Sequence, residues 1–422
     1  AVSGGVWTVN VGYGRTSIAD AVRDQLVRMN YFAGSAGSIP GSRFAERLIS
    51  KMPGMTRVYY SNSGSEANEK VYKMVRQIAH KHHGGRKWKI LYRERDYHGT
   101  TIGALATSGQ AERAMQYGPY PDGFVMVPHC LEYRKQWDVE NYGERAADAI
   151  EEVILREGPD TVGAIVLEPV TAGGGVIVPP TGYWERVQEI CKKYNILLHI
   201  DEVVCGVGRT GTWFGYQHFG IKPDFVTMAK GVASGYAAIS CTVTTEEVFS
   251  LFKDDPNDPM SYFRDISTFG GCASSPAAAL ENMRIIEDEG LLDNTLRMGE
   301  RTLANLNALM EKHKVIGDVR GAGLFCGAGF GLFQVPNNRN LLLAAPPTRS
   351  GAAGGVQGTA RLTGQTAGAI LMTLLFTLTS AAAAPRIGLG CGAALTGAVK
   401  VMVATAIARR IIGRSAFLPC LS

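Results

Sequence analysis

Three short runs without Asp, Glu, Lys or Arg constrain this chain more than anything else in it: residues 162–167, 196–200 and 225–228. A strand covered on both faces reads as a continuous apolar run, whereas a half-exposed strand alternates. Helix-patterned stretches at 146–156 and 183–194 lie before and between these runs. Buried strands alternating with helices predict an α/β layer architecture with a mainly parallel central sheet. A strand over 57–60 leading to a helix that ends near His80, a strand over 87–91, and helices over 17–30, 276–289 and 294–312 complete the reading. A chain of 422 residues is long enough for one large domain and a smaller one. The expected division is an N-terminal segment 1–30, a large domain 31–290 and a smaller C-terminal α/β domain 291–422.

The chemistry gathers at the ends of these runs. Asp201 is the first acidic group after 196–200, and Lys230 follows 225–228 in a nearly charge-free stretch. Burial disfavours an ammonium, so such a lysine can lose its proton and attack an aldehyde. A carboxylate at a strand end can hold a protonated ring nitrogen. These are the two groups that pyridoxal phosphate requires from a protein. The turn Ser63, Gly64, Ser65 lies between a strand and a helix, where free N–H groups favour a phosphate, although a plain serine cap has the same sequence. Tyr97 could stack on a flat cofactor or be a half-buried loop residue. Glu202 reads as a solvated acidic turn. Gly206 to Gly211 matches G-x-G-x-x-G, but an aromatic, glycine-broken stretch follows where a dinucleotide site needs a helix. Histidines 80, 82 and 83 read as a solvated cationic helix end rather than metal ligands.

Six ordered motifs, Ser63 to Asn68, Tyr97 to Gly99, Glu168 to Val170, Asp201 to Val203, Met228 to Gly231 and Thr268 to Gly271, make the chain resemble the class III pyridoxal-phosphate aminotransferases. Within that family it looks most like members that move an amino group from taurine to pyruvate. The resemblance implies the fold type I of pyridoxal-phosphate transferases. It implies Lys230 as the Schiff-base lysine and proton shuttle, and Asp201 as partner of the ring nitrogen. Tyr97 and Val203 would flank the ring, Gly64 and Ser65 would hold the phosphate, and Glu168 would lie near the cofactor. Thr268 would reach the phosphate of a neighbouring subunit, which makes the expected unit a homodimer. Trp7 matches a substrate-pocket aromatic or a core tryptophan. The expected partners are a small amine donor and a keto acid, with sulfoacetaldehyde and alanine as products. Hypotaurine or β-alanine as donor, an aminomutase, and an inactive relative stay open as alternatives.

Charge is unevenly placed. The net charge is +5, yet all 38 acidic residues lie at or before Asp318, and residues 340–422 contain no Asp, Glu, Tyr or Trp. The basic tail has no aromatic interleaving and no dense Lys/Arg block, which argues against nucleic-acid binding. Three readings of the tail stand: a shifted reading frame, a soluble small domain, or a membrane segment in the uncharged span between Arg361 and Arg386. The family's arginine for a substrate acid group has only a faint echo at Arg414. Eight scattered cysteines without a C-x-x-C pair fit a reducing, cytoplasmic setting.

Overall fold

The computed structural model describes residues 4–32, 37–253, 257, 261–314 and 316–328, all within one compact unit of the chain, Ala1–Leu343. The expectations for the tail, and Arg414 with them, lie outside the described residues. A seven-stranded sheet organises the rest. Its strands are β1 (Met55–Ser61), β2 (Lys89–Arg93), β3 (Phe124–Val127), β4 (Val162–Leu167), β5 (Leu197–Asp201), β6 (Phe225–Met228) and β7 (Ser240–Thr245), in the spatial order β1-β7-β6-β5-β4-β2-β3. The run from β6 to β3 is parallel throughout, whereas β7 lies antiparallel to both β6 and β1. Six strands therefore share one direction and a single strand opposes them. The Thr-rich β7 escaped the sequence reading because it shows no long apolar run; its Thr242 and Thr244 hydroxyls instead donate to the Ala67 and Asp224 carbonyls.

Both faces of the central strands are covered, and the side chains divide by parity as a pleated strand requires. All six residues of β4 are buried. Ile165 and Leu167 join Leu198, Ile200, Val226 and Met228 in a cluster with Ile150, Val153, Tyr183, Trp184 and Val187, from the helices Tyr142–Glu157 and Tyr183–Tyr194. Ala164 and Val166 point the other way, into a cluster with Val71, Tyr72, Val75 and Ile78 of the helix Gly64–His82. The long helices expected after the sheet are Ser274–Asp288 and Leu291–Lys312. A helix at Ile39–Ile49, capped by Ser38 through the Gly41 N–H and led by Pro40, and a small hairpin of β8 (Val319–Ala322) and β9 (Phe325–Ala328), were not anticipated.

One buried ion pair ties strand ends together beneath the loops. Arg93, at the end of β2, is wholly buried and pairs with Asp96 at 3.1 Å. Its guanidinium also donates to the Glu168 carbonyl (2.7 Å), the Thr171 hydroxyl (3.0 Å) and the Tyr183 hydroxyl (3.3 Å). Asp96 in turn accepts the Glu168 N–H at 3.0 Å. The loops after β2 and β4 are thereby locked to each other. Breaking one half of a buried pair strands the other charge, at a cost of about 3–5 kcal/mol. Arg93→Met is expected to lose that much unfolding free energy in urea titrations, and Arg93→Met with Asp96→Asn to recover part of it.

Candidate active site

Parallel strands bring their carboxyl ends to one edge, where ligands bind in open α/β sheets. Glu168 follows β4 directly, Asp201 ends β5, and Lys230 stands two residues beyond β6. Asp201 pairs in register with Thr227 of β6, so the lysine segment leaves the sheet beside the aspartate. Lys230 itself has φ +40°, a left-handed conformation that costs a non-glycine residue about 1–3 kcal/mol and is held by its surroundings. Burial lowers the pKa of its amine, while Asp201 and Glu168 act in the opposite direction.

Asp201 is 2% exposed. Burial pushes its carboxyl up, yet the His98 ring, the Val203 N–H and the Asn68 amide together hold it below the ordinary aspartate value. The geometry accounts for this: His98 Nδ1 and Asn68 Nδ2 each lie 2.8 Å from Oδ2, and the Val203 N–H lies 2.9 Å from Oδ1. A carboxylate has about four lone-pair positions, so one on Oδ1 remains for a further donor. Behind Asp201 the network continues. The Thr227 hydroxyl donates to Asn68 Oδ1 (2.6 Å), and His199 Nε2 meets that hydroxyl at 2.9 Å. Burial brings His199 down to about 3, so the ring is neutral and Nε2 carries the proton. In the chain from His199 through Thr227 and Asn68, each group thus donates to the next, and Asp201 accepts at its end. The sequence reading missed Asn68 and His98, though both sit inside its motifs.

The helix Gly64–His82 begins at the same edge. Ser63 caps it by accepting the Glu66 N–H at 3.2 Å, and the Glu66 carboxylate accepts the Asn62 N–H at 2.8 Å. Among the described residues no protein acceptor takes the Gly64 or Ser65 N–H, and the Ser65 Oγ accepts from the Thr100 N–H at 3.0 Å. A Cβ on Gly64 would come within 2.9 Å of a Val203 methyl, so glycine lets Val203 pack directly over the turn. Free N–H groups at a helix start, a buried carboxylate with one open lone pair, and a desolvated amine fit the phosphate, ring nitrogen and aldehyde of pyridoxal phosphate in turn.

Two further carboxylates lie in the protein interior. Glu168 is buried; burial, and then Asp96 and Asp201, hold its pKa well above the ordinary value. It accepts the Tyr97 and Ala172 N–H groups, both at 2.9 Å, and so fixes the backbone of Tyr97. Glu202 corrects the sequence reading. It is buried, not a solvated turn, and accepts the Gly215 (2.9 Å) and Tyr216 (2.7 Å) N–H groups. Burial raises its pKa to about 8.

The remaining expected residues separate into two groups. Half-buried Tyr97 lies at the strand-end edge, with the Arg113 guanidinium 4.7 Å from its ring centre. Half-buried Trp7 packs edge-on against Phe325 at 6.1 Å, in a small apolar cluster with Val170, Ala172 and Cys205. Thr268 is exposed on the turn Thr268–Gly271 and is not joined to Gly64 or Ser65 by a hydrogen bond. In the Gly206–Gly211 match, Gly211 has φ +94° and a Cβ there would strike Leu296 at 2.3 Å, so that glycine serves a turn and helix packing.

The family model "Aminotransferase class-III" matches residues 2–346. The chain belongs to the class III aminotransferases. It is 85% identical over 328 residues to the hypotaurine/taurine–pyruvate aminotransferase of Paracoccus denitrificans, and 64% identical over 328 residues to the taurine–pyruvate aminotransferase of Bilophila wadsworthia. Each match covers 78% of this chain and 72% of the relative. Among solved structures, a Bacillus anthracis aminotransferase is similar at 38% identity with a TM-score of 0.73. The ω-transaminase of Pseudomonas jessenii in complex with PMP is similar at 33% identity with a TM-score of 0.74. Both comparisons cover 78% of this chain and 73% of the other. Asp201, Lys230 and the Gly64–Ser65 turn thus stand together in a class III aminotransferase scaffold.

Glu202 gives this aminotransferase a pH signature. Its folded pKa of about 8 lies above the value of an unfolded glutamate, so the folded state binds the extra proton. Its contribution is complete below about pH 4 and is lost as pH rises through about 8. Unfolding free energy measured in urea between pH 5 and 8.5 is expected to fall with pH, and Glu202→Gln to fall less steeply. An unchanged slope in the variant would remove Glu202 from the account.

Proposed function

We propose that this chain transfers the amino group of taurine to pyruvate, giving sulfoacetaldehyde and alanine, with pyridoxal phosphate as cofactor. The observation that carries the proposal is the buried Asp201 carboxylate beside a desolvated Lys230 amine, in a chain whose relatives named above act on taurine and pyruvate. Bound at the strand ends, pyridoxal phosphate supplies an electron sink for the pair left when the donor carbon loses its proton. Lys230, as the neutral amine, removes a proton from the carbon that bears the donor nitrogen and hands it on. Asp201 stays charged and holds the proton on the ring nitrogen. The Gly64 and Ser65 N–H groups hold the phosphate, and Tyr97 and Val203 flank the ring. Glu168 fixes the backbone of Tyr97 and lies within electrostatic reach of Lys230. Trp7 lines the donor side.

The unit we propose is a homodimer. Exposed Ile266, Thr268 and Phe269 form one surface patch, and Ser267 beside them bonds Asn62 (3.2 Å), next to the phosphate turn. Thr268 would then serve the phosphate of the partner subunit. Four buried free thiols, Cys130, Cys191, Cys205 and Cys241, favour a reducing, cytoplasmic setting. No helix of the described residues is long and apolar enough to cross a membrane.

The test is the absorbance of the purified protein loaded with pyridoxal phosphate, before and after taurine. Taurine alone should convert the cofactor to its amine form, and pyruvate should restore it with one alanine formed. Conversion that needs no keto acid for turnover would favour an aminomutase. Lys230→Ala is expected to lose the absorbance band of the lysine-linked cofactor and at least about 10²-fold in rate. Retention of that band would overturn the role of Lys230.

A further inference from the structure

The site described so far activates an amine but contains nothing that reads the acid at the donor's other end. We infer that Arg113 receives the sulfonate of taurine, an inference that rests on the aminotransferase reading and names how its donor is recognised. Arg113 lies on the helical turn Ala111–Ala114, between β2 and β3, and is exposed. Its guanidinium stands 4.7 Å over the centre of the Tyr97 ring, one of the two groups proposed to flank the cofactor. The buried side chain of Gln110 braces it: Nε donates to Gln110 Oε1 at 2.6 Å, and Gln110 Nε2 is itself fixed to the Arg95 carbonyl at 2.9 Å. Gln110 in turn sits against the backbone of the loop after β4, where a Cβ on Gly173 would approach Nε2 to 3.1 Å.

That bracket occupies Nε and leaves both Nη groups without a carboxylate among the described residues. An arginine that stacks on a ring and keeps its outer fork free is suited to a tetrahedral or planar oxyanion. It is also close enough to act electrostatically on both Lys230 and Tyr97. By contrast, Arg320, another arginine beside the loop after β4, is consumed by Asp318 and the Gly175 and Val176 carbonyls. The two acids of the reaction stand at different distances from the reacting carbon. Taurine carries its sulfur one carbon beyond the reacting carbon, whereas pyruvate carries its carboxylate directly on it. A guanidinium held by Gln110 and Tyr97 cannot match both positions equally, and we assign it to the longer reach.

The experiment uses the full chain loaded with cofactor. Binding of 2-hydroxyethanesulfonate, which has taurine's acid but no amine, is measured by calorimetry in wild type, Arg113→Met and Arg113→Lys. Loss of charge-assisted hydrogen bonds should weaken binding about tenfold or more in Arg113→Met, with partial rescue in Arg113→Lys. In the half-reactions, Arg113→Met should raise KM for taurine by a similar factor with little change in kcat. Ethylamine, the same donor without its acid, should be unaffected, and KM for pyruvate should move less than that for taurine. Equal Kd values in wild type and Arg113→Met would overturn the inference. So would equal losses with taurine and ethylamine, which would mean that Arg113 acts only through Tyr97. Arg113-dependent binding of 2-hydroxyethanesulfonate without any taurine turnover would instead sink the proposed reaction and leave the sulfonate site standing.

Discussion

The charge on Asp201 is the constraint on which the rest of this structure depends. A carboxylate that is 2% exposed has lost most of its hydration, a penalty of several kcal/mol even after relaxation. Three donors replace that hydration: an imidazole, an amide and a backbone N–H. Each comes from a different element, the loop after β2, the helix Gly64–His82 and the turn after β5. Holding the charge therefore requires all three to be in place at once. The Arg93–Asp96 pair and the Glu168 carboxylate fix the first of these loops, so buried charge in one layer positions buried charge in the next.

Much of this was legible from residues alone, for a physical reason. A strand buried on both faces is mostly apolar unless its polar groups find partners, so the runs at 162–167 and 225–228 coincide with β4 and β6. Polar residues at the ends of such runs are few and therefore conspicuous, which is why Asp201 and Lys230 stood out. Strands with mixed composition carried no such signal. β7 alternates threonine with Cys241 and Val243, and its Thr242 and Thr244 hydroxyls find carbonyls distant in sequence, so neither its existence nor its reversed direction could be read.

Glu202 shows a different limit. In sequence it is one more acid just past the buried run, and nothing local shows that it too is buried. In the fold, consecutive residues leaving a strand face opposite ways. Asp201 turns toward Asn68 and the helix start, while Glu202 turns toward Gly215 and Tyr216 and braces the loop. Arg113 was invisible for a related reason. It lies on a short helical turn in a loop, far in sequence from any strand end, and only the folded path of residues 97–113 stacks it on Tyr97.

The two groups at the centre meet the same burial with opposite outcomes, and the donor count decides between them. Desolvation raises the pKa of an acid and lowers that of an amine, so burial alone would neutralise both. Asp201 escapes because three donors act on its charged form. Lys230 is not given equivalent support: its favourable neighbours are the charges of Asp201 and Glu168, and Arg113 opposes them. Glu168 weakens its own contribution, because burial together with Asp96 and Asp201 favours its protonated form. The edge of the sheet thus keeps one permanent negative charge at Asp201 and leaves the amine beside it able to exchange a proton. Adding a hydrogen-bond acceptor near Lys230 would restore its proton and remove the base. The sparse polar surroundings of residues 227–231, which first drew attention in the sequence, are in this sense the working part of the site.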